Sequence, residues 1–310
     1  MTGGMGYAAI LARAEWPDRM DTQTLVETLQ LERLEVNLFR GTTADEEARE
    51  RIYGGQVIAQ ALLAAYETVE DRVCHSLHCY FIRPGDPGVP IVFDVDRSRD
   101  GGSFTTRRVI AVQHGKQIFN LAASFQVAED GYEHQSEMPA APHWDQVEDD
   151  TERQKILLKD APPEARLWLE RPQPIEMRTV GGRMDTTPQA REPVQQLWFR
   201  AKDAVGADPH MHQVILAYAS DMSLLGTSVQ PHGVSWRTPG FQSASLDHAM
   251  WFHRPTDFNE WHLYHQESPS ASGGRGFNLG SIYRASDGAL VASCAQEGLM
   301  RMRKPKPPIS

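Results

Sequence analysis

The stretch ALVASCAQEG at residues 289–298 decides the fold, because the chain contains a second version of it, NLAASFQVAE, at residues 120–129. Both are runs of small and apolar residues typical of a strand inside a sheet, and each contains a glutamine, Gln296 in the later version and Gln126 in the earlier one. A polar side chain inside a sheet needs hydrogen-bond partners or a task. The two versions therefore predict a duplicated unit and raise the question of what Gln296 does.

The duplication extends well beyond these two strands. Four pairs of equivalent positions recur at a nearly constant separation, between 165 (221 − 56) and 171 (254 − 83) residues. The pairs are Ser76 with Ser245, Arg83 with Arg254, Gln126 with Gln296, and Gln56 with Asp221. Two units of this length indicate a tandem duplication, which differs from a solenoid of many short repeats.

Each unit shows the same order of predicted elements. In the first, a short helix from the N-cap Asp21 and a strand at 34–41 precede a helix at 53–69 that is apolar on nearly every side and must be buried. Four strands separated by turn residues follow it. The second unit repeats this order, with a helix at 210–229. A curved antiparallel sheet wrapped around one helix satisfies the pattern in each unit, which places the chain in the α+β class.

The composition sets outer limits on organisation and location. We expect a flexible arm at 1–20, a first unit at 21–130, an acidic and proline-rich linker at 131–173, a second unit at 174–303 and a tail at 304–310. No apolar run is long enough to span a membrane, so a cytoplasmic location is expected. The net charge of −10 argues against nucleic acid as the main partner. Edges of the fused sheets favour a homodimer or a higher homo-oligomer.

The three cysteines do not suggest redox or metal chemistry. Cys74, Cys79 and Cys294 form no CxxC motif and leave one thiol unpaired in any disulfide scheme, so reduced thiols are expected. Cys294 lies two residues before Gln296 and should share its face of the strand. We interpret it as a small buried residue, since Ser124 stands at the matching place in the first unit.

Several strings resemble the acyl-CoA thioesterase II family, whose fold is a double hot dog. They are GGQVIAQAL, HSLHCYFIRPGD, SFTTRRVIAVQHGKQIF, LAYASD, SLDHAMWFHRP and VASCAQEG, and the resemblance covers residues 22–303. It implies hydrolysis of acyl-CoA thioesters without a cofactor or a metal ion. It also implies that Asp221, Ser245 and Gln296 hold the hydrolytic water. Many family members have threonine where this chain has Ser245, so the hydroxyl is kept and a methyl group is lost.

The chemistry of thioester hydrolysis favours a catalytic role for these three residues independently of the resemblance. Thioester hydrolysis needs an activated water, a donor for the developing oxyanion and a geometry that brings both to the carbonyl carbon. A carboxylate such as Asp221 accepts the proton, and the Ser245 hydroxyl and Gln296 amide orient the water. Backbone N–H groups at the N-terminus of the buried helix are candidate oxyanion donors. Considered singly, each residue also has a structural interpretation: an N-cap for Asp221, a strand serine and a satisfied core amide.

Other constellations give weaker hypotheses. His75 or His78 is the rival general base, while the histidine pairs lack a convincing third metal ligand. No GxSxG motif is present, and SGGRG at 272–276 precedes a strand, which does not fit a phosphate-binding loop. Arg107 and Arg275 are candidates for the coenzyme A phosphates or, more simply, surface residues. A hot-dog hydratase or dehydratase, and a non-catalytic acyl-CoA-binding module, remain the alternative functions.

Overall fold

In the part of the chain that the structure describes, 13 strands form one antiparallel sheet with helices packed on it. The computed structural model describes residues 21–43, 51–157, 173–182, 189–236 and 238–303, so the predicted arm at 1–20 and tail at 304–310 lie outside the described residues. The first unit contains α1 (Thr22–Leu29), β1 (Glu32–Glu35), β2 (Leu38–Gly41), α2 (Gly54–Tyr66), β3 (Val73–Phe81), β4 (Ile91–Asp100), β5 (Phe104–Gln113) and β6 (Lys116–Gln126). The second contains β7 (Ile175–Thr179), β8 (Val194–Ala201), α4 (Pro209–Ser220), α5 (Leu224–Val229), β9 (Phe241–Ser245), β10 (Asp247–Phe252), β11 (His262–Ser272), β12 (Arg275–Arg284) and β13 (Leu290–Met302), and between the units lies α3 (Asp150–Leu157).

Equivalent strands of the two units occur in the same order when each unit is read outward from the centre of the sheet. The full order is β1-β2-β4-β5-β6-β3-β10-β13-β12-β11-β8-β7, with β9 paired to β13. The two units meet where β3 pairs with β10, and His78 lies opposite Ala249 at this seam. The mirrored order confirms the predicted double hot dog of the α+β class. The exact boundaries at 21–130, 131–173 and 174–303 stay a proposal, which the mirrored order supports.

Helices fill the inner face of the sheet. All of α2 except Gly54 is buried, as its uniformly apolar sequence predicts. It packs on strands β4, β5 and β6 of its own unit and along α4 of the other unit. In the second unit, the short α5 packs on β11, β12 and β13. The N-terminus of α2 therefore lies where the two units join.

Two local predictions were wrong, and one short helix is confirmed. The single strand predicted at 34–41 is a hairpin of β1 and β2 with a turn between them, so that Leu34 and Val36 are exposed by 45% and 57%. The short helix predicted after Asp21 is α1, which ends at Leu29 because Gln30 leaves the helical region with ψ of 144°. The single helix predicted at 210–229 is divided into α4 and α5 around Asp221.

The segment between the units packs against the second unit. Trp144 stacks on Trp261 with ring centroids 5.2 Å apart, and the Trp198 indole N–H donates to the carbonyl of Pro142 at 2.8 Å. Together with neighbouring apolar side chains these rings form a second, smaller core outside the main one. In the part of the chain that is described, no helix has the length and apolar character needed to cross a bilayer.

Candidate active site

Asp221 occupies the break between α4 and α5. It is the C-cap of α4, while Ser223 is the N-cap of α5 and Asp208 caps the N-terminus of α4 through the N–H of His210. The interpretation of Asp221 as a helix N-cap is therefore wrong. The break turns the side chain away from both helices and toward the first unit.

The structure brings together the three residues named from the sequence. Ser245 is the last residue of β9 and lies opposite Gly298 of β13, two residues beyond Gln296 on that strand. The Gln296 Nε2 donates to Oδ1 of Asp221 at 2.5 Å, and the Ser245 hydroxyl donates to the same oxygen at 3.4 Å. One carboxylate oxygen thus receives two side-chain donors from neighbouring strands.

The first unit contributes the N-terminus of α2 to the same group. The backbone N–H of Gly55 donates to the carboxylate of Asp221. Gly54 must lack a side chain, because a Cβ there would lie 2.8 Å from Oδ2 of Asp221 and 2.9 Å from the ring of Phe81. The Tyr53 hydroxyl donates to the carbonyl of Tyr218 at 2.9 Å and fastens the two units beside the site. The site therefore spans both units.

The surroundings shift the acidity of Asp221. Its side chain keeps limited solvent contact, but protein atoms enclose the carboxylate, and this desolvation raises its pKa from 3.8 to about 6. Donation by Gln296, Ser245 and Gly55 opposes the rise without cancelling it. Such a carboxylate is mostly ionised at neutral pH and still accepts a proton readily, which suits a general base.

His248 belongs to the same cluster and was missed from the sequence. It lies on β10 with 1% of its side chain exposed, and its Nδ1 is 3.2 Å from Nε2 of Gln296. Its Nε2 is 3.0 Å from the hydroxyl of Ser220, the residue before Asp221. Desolvation lowers the pKa of His248 to about 4, so the ring is neutral near pH 7. Its presence in the string SLDHAMWFHRP was the available signal.

The rival base candidates lie elsewhere. The His75 ring nitrogen is 2.8 Å from the Ser124 hydroxyl, and the ring packs edge-on against Phe104. His78 packs against Trp251 at the seam between β3 and β10. Neither ring has a hydrogen bond to the Asp221 cluster within the described ranges. Those ranges also contain no group of three His, Cys, Asp or Glu side chains placed to bind a metal ion.

The arginines considered for phosphate contacts have other partners. Arg107 is only 2% exposed, donates to both oxygens of Thr68 and pairs with Asp100 at 2.6 Å, so both predictions for it, a phosphate ligand and a surface residue, were wrong. Arg275 is at the surface in an ion pair with Glu297 at 2.8 Å. Cys294 is buried as predicted, and burial raises the pKa of its thiol to about 12.

The first-unit positions paired with Asp221 and Gln296 from the sequence do not form a second cluster of this kind. The pairing of Gln56 with Asp221 was wrong, because Gln56 lies in the first turn of α2 whereas Asp221 follows the last residue of α4. The Gln56 amide donates to the carbonyl of Thr42 and the hydroxyl of Thr43. Gln126 ends β6, where its amide donates to Glu129 at 3.0 Å. These two glutamines bind neighbouring parts of their own unit, whereas Asp221 and Gln296 bind each other.

Comparison with known proteins gives matches over most of the chain. The family model described as acyl-CoA thioesterase matches residues 171–299, and the model described as acyl-CoA thioesterase N-terminal domain matches residues 43–126. The chain is 41% identical to human acyl-coenzyme A thioesterase 8 over 300 residues, which cover 94% of this chain and 93% of that relative. The structure of acyl-CoA thioesterase II TesB2 from Mycobacterium marinum is 43% identical with a TM-score of 0.73, over 90% of this chain and 98% of that one. A protein of unknown function with a hot dog fold from Alicyclobacillus acidocaldarius shares the fold at 18% identity, with a TM-score of 0.72 over 91% of this chain and 99% of that one.

Proposed function

Because the chain belongs to the acyl-CoA thioesterase II family, we propose that it hydrolyses fatty acyl-CoA to a free fatty acid and coenzyme A by direct attack of water. The observation that carries the mechanism is the carboxylate of Asp221, which receives donors from Ser245 and Gln296 at the N-terminus of α2. No covalent acyl-enzyme is needed, since the carboxylate of Asp221 can take a proton directly from a water.

The water is held by the carboxylate of Asp221, and Gln296 holds that carboxylate. Both hydrogens of the Gln296 Nε2 are engaged by Asp221 and His248. A water that donates one hydrogen to Asp221 directs its lone pair toward a thioester carbonyl. The Ser245 hydroxyl holds the carboxylate in position to accept the proton.

The reaction then proceeds in two balanced steps. The water oxygen attacks the carbonyl carbon and its proton passes to Asp221, giving a tetrahedral intermediate with a negative oxygen. Inside α2, the N–H groups of Gln56 and Val57 bind the carbonyl of Tyr53, and that of Gly55 binds Asp221, so the N–H of Gly54 is the donor proposed for the oxyanion. The carbon–sulfur bond breaks, and the proton returns from Asp221 to the coenzyme A thiolate.

The test is release of free thiol from a panel of medium- and long-chain acyl-CoAs. Wild type should release thiol, and Asp221→Asn should lower kcat by about 10²- to 10⁴-fold, the usual value of general-base catalysis. Asp145→Asn is the matched control, because Asp145 is an exposed carboxylate whose partner is His143. It should behave as wild type.

The same panel, with an enoyl-CoA added, separates the alternative functions. Saturable acyl-CoA binding by a wild type that neither releases thiol nor hydrates the enoyl-CoA would identify a non-catalytic module. A hydratase-type site predicts that enoyl-CoA hydration is abolished by His75→Ala and preserved by Asp221→Asn. The contact of His75 with Ser124, away from the carboxylate, favours the thioesterase. The predicted cytoplasmic location and homo-oligomeric state stay predictions, and sedimentation analysis checks the second.

A further inference from the structure

His248 is held inside the cluster by contacts on both ring nitrogens. Nδ1 faces Gln296 on β13, and Nε2 faces Ser220 at the end of α4. The ring therefore connects two elements that each deliver one member of the water site, since Asp221 follows Ser220 directly in the chain.

The donors and acceptors along this chain of contacts allow one arrangement. The Ser220 hydroxyl donates to the carbonyl of Ala217 at 2.9 Å, so toward His248 it can only accept, and the proton must be on Nε2. Nδ1 is then an acceptor and takes a hydrogen from the Gln296 amide. If the amide were reversed, its oxygen would face both the carboxylate and the Nδ1 lone pair, which is repulsive. The ring and Asp221 together fix which end of the amide faces the carboxylate.

We propose that His248 is a positioning residue, which holds the Gln296 amide so that its NH₂ faces Asp221 and keeps that carboxylate in position for the reacting water. This inference rests on the proposed function, because the reacting water belongs to that mechanism. The role requires a ring with an acceptor on Nδ1, and a protonated imidazole has none. The buried position of the ring keeps it neutral at the pH of the assay.

A double-mutant cycle tests whether His248 acts through Gln296. His248→Ala should lower kcat by about 10- to 100-fold with little change in KM, because the contact orients the water and not the substrate. In a Gln296→Ala background the same substitution should change kcat by less than about 3-fold, since residues that act through one another are not additive. His253→Ala is the matched control: His253 also bonds a serine, Ser293 at 2.9 Å, but at the surface. It should leave kcat unchanged.

Two conservative variants carry the test if His248→Ala does not fold. In His248→Asn the side-chain oxygen takes the place of Nδ1 and still accepts a hydrogen bond from Gln296. In His248→Gln the longer side chain places its amide toward Ser220, so Gln296 has no acceptor. We expect His248→Asn to retain about 10-fold more activity than His248→Gln. The opposite order would overturn the role.

The outcomes separate this role from the proposed function. Equal losses from His248→Ala in both backgrounds, in an active enzyme, would overturn the positioning role alone. A wild type that releases no thiol would overturn the proposed function and this role with it. Loss of coupling in the Gln296→Ala background, with wild-type activity intact, supports both.

Discussion

Replacing Asp221 with asparagine should stabilise the folded protein at pH 8 while it removes the proposed base. The carboxyl has a pKa of about 6 in the folded protein, against 3.8 for an aspartate free of these surroundings, a difference of about 2 pH units. At about 1.36 kcal/mol per unit, ionising Asp221 in the folded state costs about 3 kcal/mol. Because the side chain keeps some solvent contact, we reduce this to about 1–2 kcal/mol.

The sign of the pH dependence follows from the raised pKa. Between about pH 4 and pH 6 the folded state holds this proton more tightly than the unfolded state, so its contribution to stability falls as the pH rises. Below this window both states are protonated and the cost is absent; above it the cost is constant. The advantage of Asp221→Asn should therefore be largest at pH 8 and about half as large at pH 5.

Urea unfolding followed by tryptophan fluorescence at pH 5 and pH 8 measures both quantities. The difference between the two pH values is the cleaner measure, because the shape change from carboxylate to amide contributes equally at each pH. Asp287→Asn is the control of opposite sign: the ion pair with Arg284 lowers the pKa of Asp287 to about 2, so its removal should give no gain at either pH. An Asp221→Asn variant that gains nothing on going from pH 5 to pH 8 would refute the reasoning.

Three further outcomes are expected. The kcat/KM for hydrolysis, followed by loss of thioester absorbance, should rise through about pH 6 and level off above it, since Asp221 must be ionised to act; a flat profile from pH 5 to pH 8 would contradict this. Ser245→Thr should stay within about 3-fold of wild type, and Ser245→Ala should lose about 10-fold in kcat. The loss is modest because the hydrogen bond to Asp221 is long at 3.4 Å and near the weak end for a charged acceptor. Equal activities of the two variants would argue against a role for the hydroxyl. Gly54→Ala should lower kcat by about 100-fold by displacing the carboxylate, while Gly102→Ala, whose Cβ meets nothing within 4 Å, should not.

The fold was largely readable from the sequence because the duplication supplied an internal comparison. Helix α2 has no polar side, which leaves burial inside a sheet as its only stable environment. The hairpin of β1 and β2 was not readable, since the alternation of Leu34, Val36 and Leu38 imitates one half-buried strand. The break at Asp221 was hidden for a related reason: apolar residues continue on both sides of it, although Ser220, Asp221 and Ser223 are weak helix formers.

The candidate site was predicted in part. Gln296 drew attention because an amide stood in an apolar strand, and Asp221 and Ser245 followed from the family resemblance. His248 and Gly54 were not found, because a histidine in a strand and a glycine before a helix have many structural roles. Arg107 was misread for a different reason: its acceptors come from the turn after α2, at Thr68, and from the end of β4, at Arg99 and Asp100, and only the folded sheet brings them together.

The position of the carboxylate between the units limits how many centres such a fold can contain. Two identical single-unit chains would form a symmetric dimer with the same residues at both junctions between units. Both junctions would then have to fit the reaction. In the fused chain the two junctions are encoded independently. One holds Asp221 against the N-terminus of α2, and at the other, where the end of α2 meets the start of α4, Tyr66 bonds Gln213 and stacks on His210. Fusion therefore lets one junction carry the proposed chemistry while the other joins the two units by packing and hydrogen bonds.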